Sequence, residues 1–169
     1  MKRWNKKKID HHKKIPLSDA DVMRLVEGKA KVLVYDELND YNSLDDIIGP
    51  HGACFILYGP TNFGHWTALF KMKDGKTVEF FDPYGKMPDH WLDKNKYPIL
   101  SYYLYHSGYN LTYNEHAFQA KGEGINTCGR WCALRLVFRD LSLKGFAKLF
   151  KHVGADDLVS ILTSYDLDY

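Results

Sequence analysis

Residues 53–85 read ACFILYGPTNFGHWTALFKMKDGKTVEFFDPYG, and this stretch decides the fold class. Residues 53–58 form an almost unbroken apolar run between Gly52 and Gly59-Pro60, the pattern of a strand bounded by turns. Residues 65–72 and 77–81 flank Asp74-Gly75, a strong hairpin signal, so the two segments are expected to pair antiparallel. Upstream, residues 31–35 (KVLVY) are rich in β-branched side chains and predict a further strand. Ser18 with Asp21 and Ser43 with Asp46 each set a serine cap three residues before an acid, and two short helices follow, ending at Gly28 and Gly49. Downstream, a short amphipathic helix over 88–96, a helix over 98–107 and a strand over 110–119 are expected. After the Gly-containing loop 121–124 comes a long helix from Cys128 to about Leu141, then helices over 142–152 and 155–164. There is no internal repeat, low-complexity segment or linker after residue 16. This order predicts an α+β fold: one domain over 16–169, with a central, mostly antiparallel sheet flanked by helices.

Composition narrows the function class. The 169 residues are 45% hydrophobic and 15% aromatic, too much apolar ring for a disordered chain and enough for a core. No run of about 18 apolar residues occurs, which excludes a transmembrane helix, and no membrane partner is expected. Three cysteines, Cys54, Cys128 and Cys132, are an odd, sparse set that argues against a disulfide scaffold and for a reducing compartment. The net charge of +2 hides an asymmetry. Residues 1–14 carry seven basic side chains against Asp10, a charge of +6. The remaining 16 basic and 20 acidic groups leave the rest at −4. Residues 1–15 are therefore expected to be a flexible basic arm, either a solvated terminus or a contact for DNA.

The chemistry gathers around one thiol. Cys128 falls at the start of the long helix, with Asn126 or Thr127 as cap, where the positive end of the helix dipole favours thiolate. Cys132, one turn on and among apolar neighbours, is expected to be core. His65 opens a strand, and Asp82 ends the strand paired with it, so Asp82 can reach one imidazole nitrogen while the other takes a proton from a thiol. Gln119, nine residues before Cys128, could place its amide N–H₂ beside the Cys128 backbone N–H, facing a developing oxyanion. The rival use of Cys and His is zinc, from Cys128 and Cys132 with His51 and Cys54. The two-residue Cys spacing of such sites is absent, and no metal or other cofactor is expected. No phosphate-cradling glycine loop is present either.

The order His65, Asp82, Gln119, Cys128, with Gly64-His65-Trp66, Phe81-Asp82-Pro83-Tyr84-Gly85 and Thr127-Cys128-Gly129-Arg130-Trp131-Cys132 around them, resembles the adenain-like and ubiquitin-like-protein-specific cysteine proteases. Within these it is most similar to the capsid-maturation proteases of double-jelly-roll DNA viruses, virophages and Polinton-type elements. Ile56-Leu57-Tyr58 and Asp157-Leu158-Val159 extend the resemblance over residues 16–165. It implies an adenain-like fold with His65 as general base, Asp82 as its orienting partner, Cys128 as nucleophile and Gln119 as oxyanion donor, Asn126 being the alternative donor. It also implies a cysteine endopeptidase that cuts virion or capsid precursor proteins near small Gly-containing motifs, with Trp66 as one wall of a narrow cleft. A monomer in the virion and in the host cytoplasm or virus factory is the matching expectation. Removal of ubiquitin-like modifiers, and a non-catalytic DNA-binding virion component, are the two alternatives.

Overall fold

A computed structural model describes residues 3–59, 64–151 and 154–167. Lys2 of the basic arm, Pro60 of the break after residue 58, His152 of the expected 142–152 helix and residues 168–169 lie outside them. Among the described residues five strands form one sheet in the order β1 (Lys31–Val34), β2 (Ala53–Tyr58), β3 (His65–Lys71), β4 (Thr77–Phe81) and β5 (Asn110–Tyr113). The three central strands are antiparallel, but β1 runs parallel to β2 and β5 parallel to β4. The sheet is therefore mixed rather than mostly antiparallel. Each edge strand is joined to its neighbour by a long connection that crosses over, and such a connection brings the chain back in the same direction.

Among the described residues seven α-helices accompany the sheet: α1 (Lys6–Lys14), α2 (Asp19–Leu25), α3 (Leu44–Ile48), α4 (Ile99–His106), α5 (Cys128–Val137), α6 (Leu143–Lys148) and α7 (Ala155–Thr163), with a 3-10 helix over Tyr35–Asp40. One sheet face, with Phe55, Leu57, Trp66, Ala68, Phe70 and Phe81, packs under α2, α5, α6 and α7. The other, with Ile56, Leu69, Val78 and Phe80, packs under the 3-10 helix, α3 and α4. β2 is buried at every position because helices cover it on both faces, which is why its residues do not alternate in polarity. The Ser18 cap forms a full capping box: Ser18 Oγ accepts from Asp21 N at 3.2 Å and Asp21 accepts from Ser18 N at 3.0 Å.

α5 and α6 end sooner than expected, at Val137 and Lys148, and three further segments differ in kind from the sequence expectation. Residues 88–96 are a series of turns, not a helix. Asp89 sits at φ +66° and its carboxylate accepts from Tyr35 Oη (2.7 Å), Tyr58 Oη (3.1 Å), Ser101 N (2.8 Å) and Ser101 Oγ (2.6 Å), so tertiary hydrogen bonds outweigh the local helical pattern. β5 stops at Tyr113 because Asn114 turns inward, its Oδ1 accepting from Asp82 N at 3.0 Å and its Nδ2 donating to Asp82 O. The basic arm, expected to be flexible, is the ordered helix α1. Asn5 caps it by accepting from Lys8 N at 2.9 Å. Half-buried Ile9 and buried His12, one turn apart, face the domain, and Lys6 and Lys13 pair with Asp157 of α7 at 3.2 and 2.8 Å. Its helical periodicity was hidden by the density of charge.

Candidate active site

The β3–β4 register brings the first two residues together. Ala68 lies opposite Phe81, so Asp82 falls opposite Thr67, and His65, two residues from Thr67 on the same face, is its diagonal neighbour. His65 Nε2 is 2.7 Å from Asp82 Oδ1. The carboxylate is fully buried and accepts two further bonds, from Tyr84 N (2.8 Å, Oδ1) and from Trp91 Nε1 (2.6 Å, Oδ2). Tyr84 stacks on the imidazole at 5.1 Å and 18°, and Trp91 leans against it at 4.9 Å. Tyr84 and Trp91 also touch each other, with ring centroids 5.7 Å apart, so the imidazole packs against a joined aromatic pair.

Cys128 arrives from the opposite direction as the first residue of α5. A Cβ on the next residue, Gly129, would lie 2.9 Å from Trp66 Cδ1 and 3.2 Å from Leu17 Cβ. Only glycine lets the start of α5 descend this close to β3, and that descent brings the thiol near enough to His65 to raise its imidazole. With Nε2 engaged by Asp82, Nδ1 is the nitrogen left for sulfur. Thr127 occupies the cap position of α5, yet its side chain makes no cap bond. Its hydroxyl instead donates to Asp156 at 2.6 Å, so this side chain leaves the N–H groups at the helix start to others.

Burial pushes Cys54 up to about 12 and Cys132 well above the ordinary thiol value, and both stay protonated. Cys132 is core, as expected, its Sγ donating to Trp66 O at 3.4 Å. At His65, burial pulls the imidazole down, but the hydrogen bond to Asp82, the nearby Cys128 sulfur and the charges of both outweigh it and raise the ring to about 9. An imidazolium held between a carboxylate and a sulfur is the state that favours thiolate.

Gln119 lies in the same neighbourhood, buried, with Nε2 donating to Tyr84 Oη at 3.1 Å and to Ile125 O at 3.3 Å. Phe118 N and Gln119 N both donate to Pro83 O. Gly85 (φ +72°) permits this approach, because a Cβ there would meet the His116 carbonyl carbon at 2.5 Å. Asn126 is committed elsewhere: its Nδ2 donates to Lys14 O at 2.8 Å and its N to Lys13 O at 2.7 Å, so it tethers α1. Trp66 is not a cleft wall. Strand alternation turns it to the face opposite His65, where it is 4% exposed, donates to Leu17 O at 2.9 Å and packs on Phe55. The aromatic walls beside the imidazole are Tyr84 and Trp91, which the sequence showed only within the motif after Phe81 and within the helix expected over 88–96. A pocket of about 420 Å³ opens beside Trp91, lined by Tyr35, Asp36, Tyr58, Asp93 and Lys96 among others. Among the described residues no group of three or more His, Cys, Asp or Glu is placed to hold a metal ion, and no helix is long and apolar enough to cross a membrane.

Protein V9 of Sputnik virophage, itself uncharacterized, is 36% identical to this chain over 174 residues, covering 93% of this chain and 99% of V9. The chain belongs to the V9 family. No family model matches it. Among solved structures, the V9-family chain is similar to the pS273R protease of ASFV, with 14% identity, a TM-score of 0.47, and coverage of 78% of this chain and 57% of that one. It is also similar to the SUMO protease Ulp1 with its catalytic cysteine oxidized, with 12% identity, a TM-score of 0.41, and coverage of 90% and 79%. Both scores lie below 0.5, and neither likeness bears on the chemistry of this chain.

Proposed function

We propose that this V9-family chain is a cysteine endopeptidase acting by acyl transfer. The observation that carries this is the sequence of neighbours Asp82–His65–Cys128, in which a buried carboxylate orients an imidazole 2.7 Å away and the thiol at the start of α5 lies close enough to that imidazole to raise it. Cys128 gives its proton to His65, and the thiolate attacks the scissile carbonyl. The oxyanion is met by the Cys128 N–H at the uncapped start of α5 and by Gln119 Nε2, which exchanges its 3.3 Å bond to Ile125 O for the new charge. His65 then protonates the leaving amine and activates water to hydrolyse the thioester.

The substrates in this proposal are virion precursor proteins, cut near Gly-containing motifs because Tyr84 and Trp91 leave little room beside the imidazole. The virophage source of V9 supports a virion setting. Incubation with iodoacetamide, followed by mass spectrometry of the digest, is expected to place the label on Cys128 and leave Cys54 and Cys132 unmodified. The same chain mixed with virophage capsid precursor is expected to release fragments that Cys128→Ala does not. Equal labelling of all three thiols, or cleavage that survives Cys128→Ala, would overturn the assignment.

A further inference from the structure

The mechanism needs two things held at a fixed separation, the amide of Gln119 and the backbone N–H of Cys128, yet the segment between them is exposed over 121–123. It also contains Gly122 and Gly124 at φ +156° and +76°. Such a loop does not set a distance by itself. What spans it is a side chain from elsewhere. Asp156, in the first turn of α7 and 7% exposed, accepts three hydrogen bonds. Ala120 N donates to Oδ2 at 2.9 Å, and Thr127 Oγ1 and Trp131 Nε1 donate to Oδ1 at 2.6 and 2.9 Å. Ala120 follows Gln119, and Thr127 precedes Cys128. Trp131 is one turn inside α5. One carboxylate therefore holds both ends of the loop and the helix that carries the nucleophile.

We propose, on the cysteine-protease reading above, that Asp156 is a positioning residue for the oxyanion site. It touches neither substrate nor sulfur and acts by fixing the gap between Gln119 and Cys128. A carboxylate suits this task and an amide does not. Donors from two segments approach both oxygens, and an asparagine would turn an N–H₂ toward one of them, leaving two donors facing each other. The charge is also favoured at the N-terminal end of α7. Asp157, the next residue, faces outward to Lys6 and Lys13 of α1, and Lys13 O and Lys14 O hold Asn126. The two acids of α7 thus grip the end of the loop that precedes Cys128 from two sides.

Because an oxyanion exists only when a carbonyl is attacked, a displaced oxyanion site slows acyl transfer but not alkylation, which passes through no oxyanion. The test compares wild type with Asp156→Asn in the full chain, using two probes at Cys128: iodoacetamide for alkylation and the p-nitrophenyl ester of N-acetylglycine for acylation. Asp156→Asn is expected to lower the ester acylation rate about 10²-fold, as a misplacement of about 1 Å does, with KM for the ester and the alkylation rate within about twofold. Thr127→Val, which removes one of the three donors and keeps the carboxylate, is expected to shift acylation in the same direction by a smaller factor. It carries the test if Asp156→Asn does not fold. Equal loss of both rates, or no loss of acylation, would overturn the role of Asp156. A wild type that neither alkylates at Cys128 nor turns over the ester would instead overturn the protease reading itself, and the two failures are told apart by which protein shows them.

Discussion

At the scale of single residues the site depends on a proton balance at His65. Its imidazole ordinarily titrates near 6.5 and is raised to about 9, so its protonated form contributes stability that is complete below about 6.5 and lost as pH rises through about 9. Activity that uses the imidazolium–thiolate pair follows the same limb. The alkaline side of the pH profile of kcat/KM is expected to have its midpoint near 9. Asp82→Asn removes a charge that raises His65, so the midpoint moves to lower pH. A limb that stays in place in this variant would contradict the role given to Asp82. The rate should fall less in Asp82→Asn than in His65→Ala, since an amide oxygen can still accept from Nε2 whereas alanine leaves no base. Steady-state assays of the two variants give the order directly. The order of His65, Asp82 and Cys128 could be read along the chain. Tyr84 N holds Asp82 through a local turn bond two residues on, whereas Trp91 and Asn114 could not be read, because each reaches Asp82 by side-chain geometry that spacing does not encode.

At the scale of elements, α1 changes the expectation for the N-terminus. Two of its lysines are paired with Asp157, and three of its backbone carbonyls accept bonds from the segment around Cys128: His12 O from Arg130, Lys13 O and Lys14 O from Asn126. Deletion of residues 1–14 is therefore expected to lower both the melting temperature and the acylation rate at Cys128. Raising ionic strength should act in the same direction more weakly, since it screens the exposed ion pairs. Unchanged thermal melting of the truncated protein would show that α1 bears no load. Gly129→Ala belongs to this scale as well. The added methyl meets Trp66 and Leu17 within van der Waals contact, and overpacking of this kind costs about 1–3 kcal/mol. It also lifts Cys128 from His65, so urea unfolding and iodoacetamide reactivity should both report it.

At the scale of the whole molecule, one buried ion pair locks the helical layer to the sheet. Arg135 of α5 meets Glu79 of β4 through two contacts, Nε–Oε2 at 2.7 Å and Nη2–Oε1 at 3.0 Å. Its remaining donors go to Phe138 O and Leu141 O, and its guanidinium lies over Phe70 and Phe146. Both side chains are inaccessible to solvent. Glu79→Ala strands the arginine charge, and destabilisation of about 3–5 kcal/mol is expected. The urea midpoint measures it. A shift within 0.5 kcal/mol, the range of an ordinary surface substitution, would mean that the pair is dispensable. Glu79 gave no sign of this in the sequence, where an acid in a strand reads as a solvent-facing position.

The sequence by itself determined the class of fold, the strands β1 to β4, the two serine-capped helices, and the choice of His65, Asp82 and Cys128 as candidate site residues. These follow from short-range physics: side-chain period, turn chemistry at Asp74-Gly75, capping, and the pairing geometry of one hairpin. The tertiary structure decided the rest. It placed β1 and β5 as parallel edges, because crossover paths depend on which helices pack on which face. It turned 88–96 into a platform for Asp89 and Trp91, and it ordered the charged N-terminus as α1. It buried Trp66 and put Tyr84 and Trp91 beside the imidazole in its place. Above all, it brought Asp156 from the end of the chain to the loop before Cys128, a contact between residues 29 positions apart whose hydrogen bonds form only once α7 has packed against α5.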